Sequence, residues 1–114
     1  MDNPEPILSV SFFKTNTGRE PVRDWLKTLP REHRRVIGEY IKTVQFGWPL
    51  GMPLVRKLDR DLWEVRVRLS DSIARILFTT GGQRMILLHG FIKKSQKTPA
   101  DDLTLAKTRL RMLQ

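Results

Sequence analysis

Within the stretch LWEVRVRLSDSIARILFTTGGQRMILLHGFIKKSQK, from Leu62 to Lys97, three of the four arginines, one histidine and several lysines recur at strand spacing. Arg66, Arg68 and Arg75 supply guanidinium groups, His89 an imidazole and Lys93 an ammonium group. Guanidinium groups aimed at developing negative charge stabilise a phosphorane, and each such donor in a preorganised site is worth a few kcal/mol, on the order of 3. An imidazole titrating near neutrality can take the proton from a ribose 2′-hydroxyl or give one to the leaving 5′-oxygen. Arg66, Arg68, Arg75, His89 and Lys93 are therefore a chemically sufficient set for RNA cleavage without a metal. Of these Arg68, with Arg56, Lys57, Lys94 and Lys97, can bind phosphate, and Phe91 can stack on a base. The ordinary alternatives are solvated arginines, a half-buried strand histidine, edge-protecting lysines and a packing phenylalanine.

These groups work together only if they share one face of a sheet. Trp63, Val65, Val67 and Leu69 alternate with Glu64, Arg66 and Arg68, which predicts a strand over Leu62–Leu69 with one buried and one solvated face. Ile73–Phe78 and Arg84–Lys93 read as the next two strands. With Gly81-Gly82-Gln83 as a three-residue loop, Arg75 lies opposite His89. With Ser70–Ile73 as a four-residue loop, Arg68 faces Arg75. Val65, Val67, Ala74, Ile76, Phe78, Ile86, Leu88 and Ile92 then fall on the buried side. A slip by one residue in either pairing would reverse the faces.

The rest of the chain supplies the scaffold. Ile7–Phe13 and Val55–Leu58 read as short strands. Pro21 suits a first helical position, and Val22, Trp25, Leu26 and Leu29 follow at helical spacing. Pro30 ends that helix, and Val36, Ile37, Tyr40, Ile41 and Val44 continue to about Phe46, so that the two helices form a hairpin on the sheet. Residues 47–53 contain two glycines and two prolines and form a loop. Thr98 is the expected N-cap of a last helix with Pro99 at its first position, Asp101 and Asp102 complementing the dipole, and Leu103, Ala106, Leu110 and Leu113 as its apolar stripe. Trp25, Trp48 and Trp63 are expected to pack. The fold class is α+β in one domain over residues 1–114: a twisted antiparallel sheet, an N-terminal helical hairpin and a C-terminal helix.

Composition narrows the chemistry. With 114 residues and 39% hydrophobic side chains the chain can bury one core. It has no cysteine and only two histidines, His33 and His89, so a thiolate or histidine metal centre is not expected. No cofactor is expected either. Asp2 and Glu5 with Pro4 and Pro6 do not resemble a signal peptide, and apolar runs such as Met85–Leu88 are too short to span a membrane, so a cytoplasmic protein is expected. The net charge is +9, and residues 56–97 carry ten basic and four acidic side chains, which concentrates the excess on the predicted sheet. Such an excess favours a polyanionic partner over mere solubility, which would spread it evenly.

The sequence resembles HigB-like, phage-derived members of the RelE/ParE toxin superfamily. The resemblance lies in the strand Leu62-Trp63-Glu64-Val65-Arg66, the arginine strand with Arg75, and the segment LLHGFIKKSQKTP, Leu87 to Pro99, leading into the last helix. It implies the toxin of a type II toxin–antitoxin pair, a ribosome-dependent mRNA endonuclease that uses basic residues instead of a metal. The implied partners are mRNA, the ribosome and a cognate antitoxin of helix-turn-helix type. By position Arg66, Arg75 and Lys93 carry the family role most directly, then Arg68, His89 and Lys94. Arg66→Ala or Arg75→Ala is then expected to abolish growth arrest in a folded protein. The last helix ends LRMLQ, so no terminal tyrosine role is carried over. The superfamily also implies two alternatives, a gyrase-inhibiting toxin and an inactive antitoxin-binding module.

Overall fold

Period-two alternation from Val55 onward builds four strands of a five-stranded sheet, a short N-terminal strand adds the fifth, and the helical stripes on either side cover both faces. The computed structural model describes residues 5–93 and 98–114, with only the backbone of Lys93. In chain order the elements are β1 (Ser9–Phe12), α1 (Pro21–Lys27), α2 (Arg31–Gly47), β2 (Val55–Asp59), β3 (Leu62–Arg68), β4 (Ile73–Gly81), β5 (Arg84–Lys93) and α3 (Ala100–Leu113). The strand order is β1-β5-β4-β3-β2.

The sheet is mixed, not antiparallel throughout. β2 to β5 pair as an antiparallel meander, but β1 runs parallel to β5, with Ser9 opposite Arg84 and Phe12 opposite Leu87. A parallel pair needs a long crossover, and everything from α1 to β4 lies between these two strands in sequence. The expected helical hairpin is also modified. α1 packs mainly on β5 and β1, and α2 on β3, so the two helices seat on opposite parts of the sheet. The predicted stripe holds: Val22, Ile37, Ile41 and Val44 are buried against Val65, Val67, Ala74, Ile76, Phe78 and Leu87. Trp48 packs edge-on against Trp63 and Phe78, with ring centroids 5.1 and 5.6 Å away.

Trp25 of α1 lies directly on the backbone of β5. A Cβ built on Gly90 would collide with its indole ring. Gly90→Ala must therefore push α1 off the sheet, and overpacking of this kind costs about 1–3 kcal/mol. The expected result is a lowered urea midpoint with an unchanged slope.

α3 covers the opposite face. Ala106, with Leu103 and Leu110, packs on Leu62, Leu77, Ile86, Leu88 and Phe91. Leu113 leaves the predicted stripe and is exposed. Lys107 reaches Asp59 of β2 at 2.7 Å. This ammonium group, with the Arg60 backbone N–H, holds the Asp59 carboxyl below the usual carboxylate range. The folded-state value is depressed, so the tether is intact above the ordinary carboxylate range and is lost as pH falls through the acid range. The face that alternation marks as solvated is thus partly roofed by a helix.

Candidate functional site

Strand pairing sets the arginines and the histidine on one lattice. Arg66 of β3 lies opposite Arg75 of β4, and Arg75 opposite Phe91 of β5. One row toward α3, Glu64 faces Leu77 and Leu77 faces His89. One row the other way, Arg68 faces Ile73 and Ile73 faces Lys93. Directly opposed residues of antiparallel strands share a face, as do alternate residues along a strand. Arg66, Arg68, Arg75, His89, Phe91 and the Lys93 position are therefore on the same side of the sheet.

Both expected partners of Arg75 change. Gly82 (φ 57°) and Gln83 (φ 64°) form a two-residue hairpin, both residues left-handed, in place of a three-residue loop. A bulge between Leu77 and Phe78 then lets β5 gain one residue, Leu88, and moves Arg75 from His89 to Phe91. The β3–β4 loop is Leu69–Ser72, one residue earlier than expected, so Arg75 faces Arg66 instead of Arg68.

Arg75 is not solvated. It is 0% exposed, as is Glu64, and its Nη1 lies 3.6 Å from Glu64 Oε2. The Thr98 hydroxyl donates to the same Glu64 oxygen at 2.8 Å, and Arg75 Nη1 donates to the Thr98 oxygen at 3.5 Å. Thr98 is therefore occupied by a buried carboxylate, a stronger acceptor for its hydroxyl than it would be a cap for the helix. Pro99 is the N-cap of α3, without a side-chain cap bond. The expectation that Arg75 stands on a solvated face is corrected: desolvation of a guanidinium is tolerable only with a paired anion, and Glu64 provides it.

His89 is also engaged. Its Nε2 is 2.6 Å from Asp102 Oδ1 of α3, and its ring stacks on Phe91 with centroids 5.4 Å apart. Arg109 Nη1 donates to the Leu88 carbonyl at 2.7 Å, beside the bulge that turns His89 toward α3. Burial lowers the pKa of the Arg109 guanidinium. Phe91 is buried, which makes it a packing residue of this row and not an exposed stacking platform.

Two of the cations lie at the other end. Arg68 is exposed and Arg66 half-buried, and both line a cleft of about 200 Å³ with Tyr40, Pro53, Leu54 and Ile73. Arg56 and Lys57 part company. Arg56, opposite Glu64, is on the arginine face, whereas Lys57, opposite Trp63, is on the α2 side with its Nζ 5.8 Å from the Trp63 ring. Lys94, Lys97 and the Lys93 side chain lie outside the described residues. Among the described residues no group of three or more histidine, aspartate or glutamate side chains could hold a metal ion. Sequence reasoning missed Glu64, Asp102 and Tyr40. Glu64 carried a signal, since alternation already set it on the arginine face. Asp102 and Tyr40 carried none beyond helical roles.

The arrangement is an α+β domain with a part-buried cationic sheet face, open at one edge. Residues 24–111 match the family described as phage derived protein Gp49-like (DUF891), so the chain belongs to that family. A comparison with curated proteins gives no match.

Proposed function

We propose that this protein is the toxin of a type II toxin–antitoxin pair that cleaves mRNA on the ribosome. The observation that carries this reading is the convergence of Arg66, Arg68, Arg75 and His89 from three adjacent strands on one face, with Arg66 and Arg68 lining an open cleft. Membership of a phage-derived family associated with RelE-like toxins supports it.

The roles divide by exposure. Arg66 and Arg68 meet the phosphate and stabilise the charge of the phosphorane. Arg75 stands behind Arg66 and acts through the field of its paired guanidinium, as a positioning residue. His89 is the proton-transfer group, and Asp102 fixes its orientation, the arrangement by which a carboxylate selects an imidazole tautomer. Strand geometry separates the Arg66 and His89 backbones by about 12 Å, so the nucleotide chain must lie across the strands for both to act. His89→Gln is expected to lower single-turnover cleavage about a hundredfold or more, the scale of general acid–base catalysis. An unchanged rate would leave His89 as a latch for α3 and nothing else.

The test is addition of the purified protein to a cell-free translation reaction. The message is expected to be cut when ribosomes translate it and to stay intact in the same buffer without ribosomes. Intact message together with loss of gyrase supercoiling would replace this function with the gyrase-inhibiting one, and no effect in either assay would leave a binding module.

A further inference from the structure

We propose that the cleft between Tyr40 and the Arg66–Arg68 edge is a seat for a single nucleobase, with the phosphate of that nucleotide on the two arginines. The inference rests on the proposed RNA cleavage and adds where a base is held. Its lining is one aromatic ring, three aliphatic side chains (Pro53, Leu54 and Ile73) and two guanidinium groups. A nucleotide presents the matching pair of surfaces, a π-face and an anion. The volume of about 200 Å³ is below that of pockets for drug-sized ligands and admits one ring system.

Its place in the sheet gives a single strand access. β3 leaves β2 after the Val65–Val55 pair, and the Arg66 N–H makes its bond to the Leu54 carbonyl. Beyond that point β3 is an open edge. α2 brings Tyr40 there because Ile37, Ile41 and Val44 are its buried residues and Tyr40 falls at the margin of that stripe, half-buried. Tyr40 is the only tyrosine in the chain. An acidic peptide would engage the arginines but leave the ring and the aliphatic floor unused.

The experiment is fluorescence anisotropy with the purified full-length protein and two labelled RNA trimers, one carrying bases and one with every base removed. Wild type, Tyr40→Phe and Tyr40→Leu are compared; leucine keeps apolar cover on the core, and a melting curve checks each fold. Wild type and Tyr40→Phe are expected to prefer the base-bearing trimer about ten- to a hundredfold, the scale of base–aromatic stacking. Tyr40→Leu should lose most of that preference and bind the abasic trimer as wild type does. A preference unchanged in Tyr40→Leu overturns the seat, whether or not the protein cleaves message. A preference lost in Tyr40→Leu with no cleavage by wild type upholds the seat and removes the nuclease function. Displacement of the trimer by polyglutamate, with its affinity weakened by Tyr40→Leu as much as that for RNA, would make an acidic peptide the occupant and overturn the base.

Discussion

Arg75→Ala is expected to destabilise the protein by about 3–5 kcal/mol, the cost of leaving one member of a buried ion pair without the other. Glu64 and Arg75 are both fully buried, and the Thr98 hydroxyl is the only other group that donates to Glu64 Oε2 among the described residues. Glu64 Oε1 has no hydrogen-bond partner among those residues, so the carboxylate depends on its Oε2 contacts. Removing the guanidinium leaves a negative charge in the sheet that water cannot reach. The loss is large against a total stability of about 5–15 kcal/mol, and a urea titration measures it. Glu64→Leu combined with Arg75→Met should recover much of it, because an apolar pair of similar size carries no desolvation cost. An Arg75→Ala midpoint equal to wild type would mean the pair is not buried in solution. This revises the sequence-based expectation that Arg75→Ala abolishes arrest in an intact fold: loss of arrest in that variant reports unfolding as readily as lost chemistry.

Arg66→Ala gives the opposite pattern, with stability nearly kept and activity lost. Arg66 is half-buried at the open edge of β3 and shares its cleft with Arg68, where its side chain can meet a phosphate. Removing a donor aimed at the developing charge lowers the rate about a hundred- to a thousandfold. Arg66→Lys should recover little of it, since an ammonium group cannot reproduce a two-pronged contact with phosphate oxygens. Single-turnover cleavage beside a urea titration of the same preparations separates this variant from Arg75→Ala.

Much of the architecture could be read from residue spacing. Strand β5 has the expected bounds, Arg84–Lys93, and the stripes of α1 and α2 bury the expected side chains. The shared face of Arg66, Arg75 and His89 was legible although both registers were not. A two-residue turn plus a one-residue bulge has the same odd parity as a three-residue loop, and moving a four-residue loop by one position shifts pairing by two. In each case Arg66, Arg75 and His89 keep their common face while the partners change. On the hairpin side of the bulge the faces swap: Ile86 and Leu88, expected beside Ile76, turn to the α3 side. Ile92, expected buried, is exposed. The burial of the arginine face was not legible. The stripe of α3 says that it buries Leu103, Ala106 and Leu110, but not against which surface. A charged residue alternating with apolar ones reads as solvated whether its neighbour is water or, as for Arg75, a buried Glu64. Asp102 shows the same limit, since its place in the first turn of α3 explained it fully before His89 was found beside it.

The most direct measurement is a map of RNA 5′ ends after a brief pulse of expression in growing cells, comparing wild type with Arg66→Ala of matched melting temperature. Wild type should produce new 5′ ends inside translated reading frames within minutes, and Arg66→Ala should produce almost none. The same new ends from both proteins, or growth arrest by wild type with no new ends, would contradict cleavage by the arginine edge.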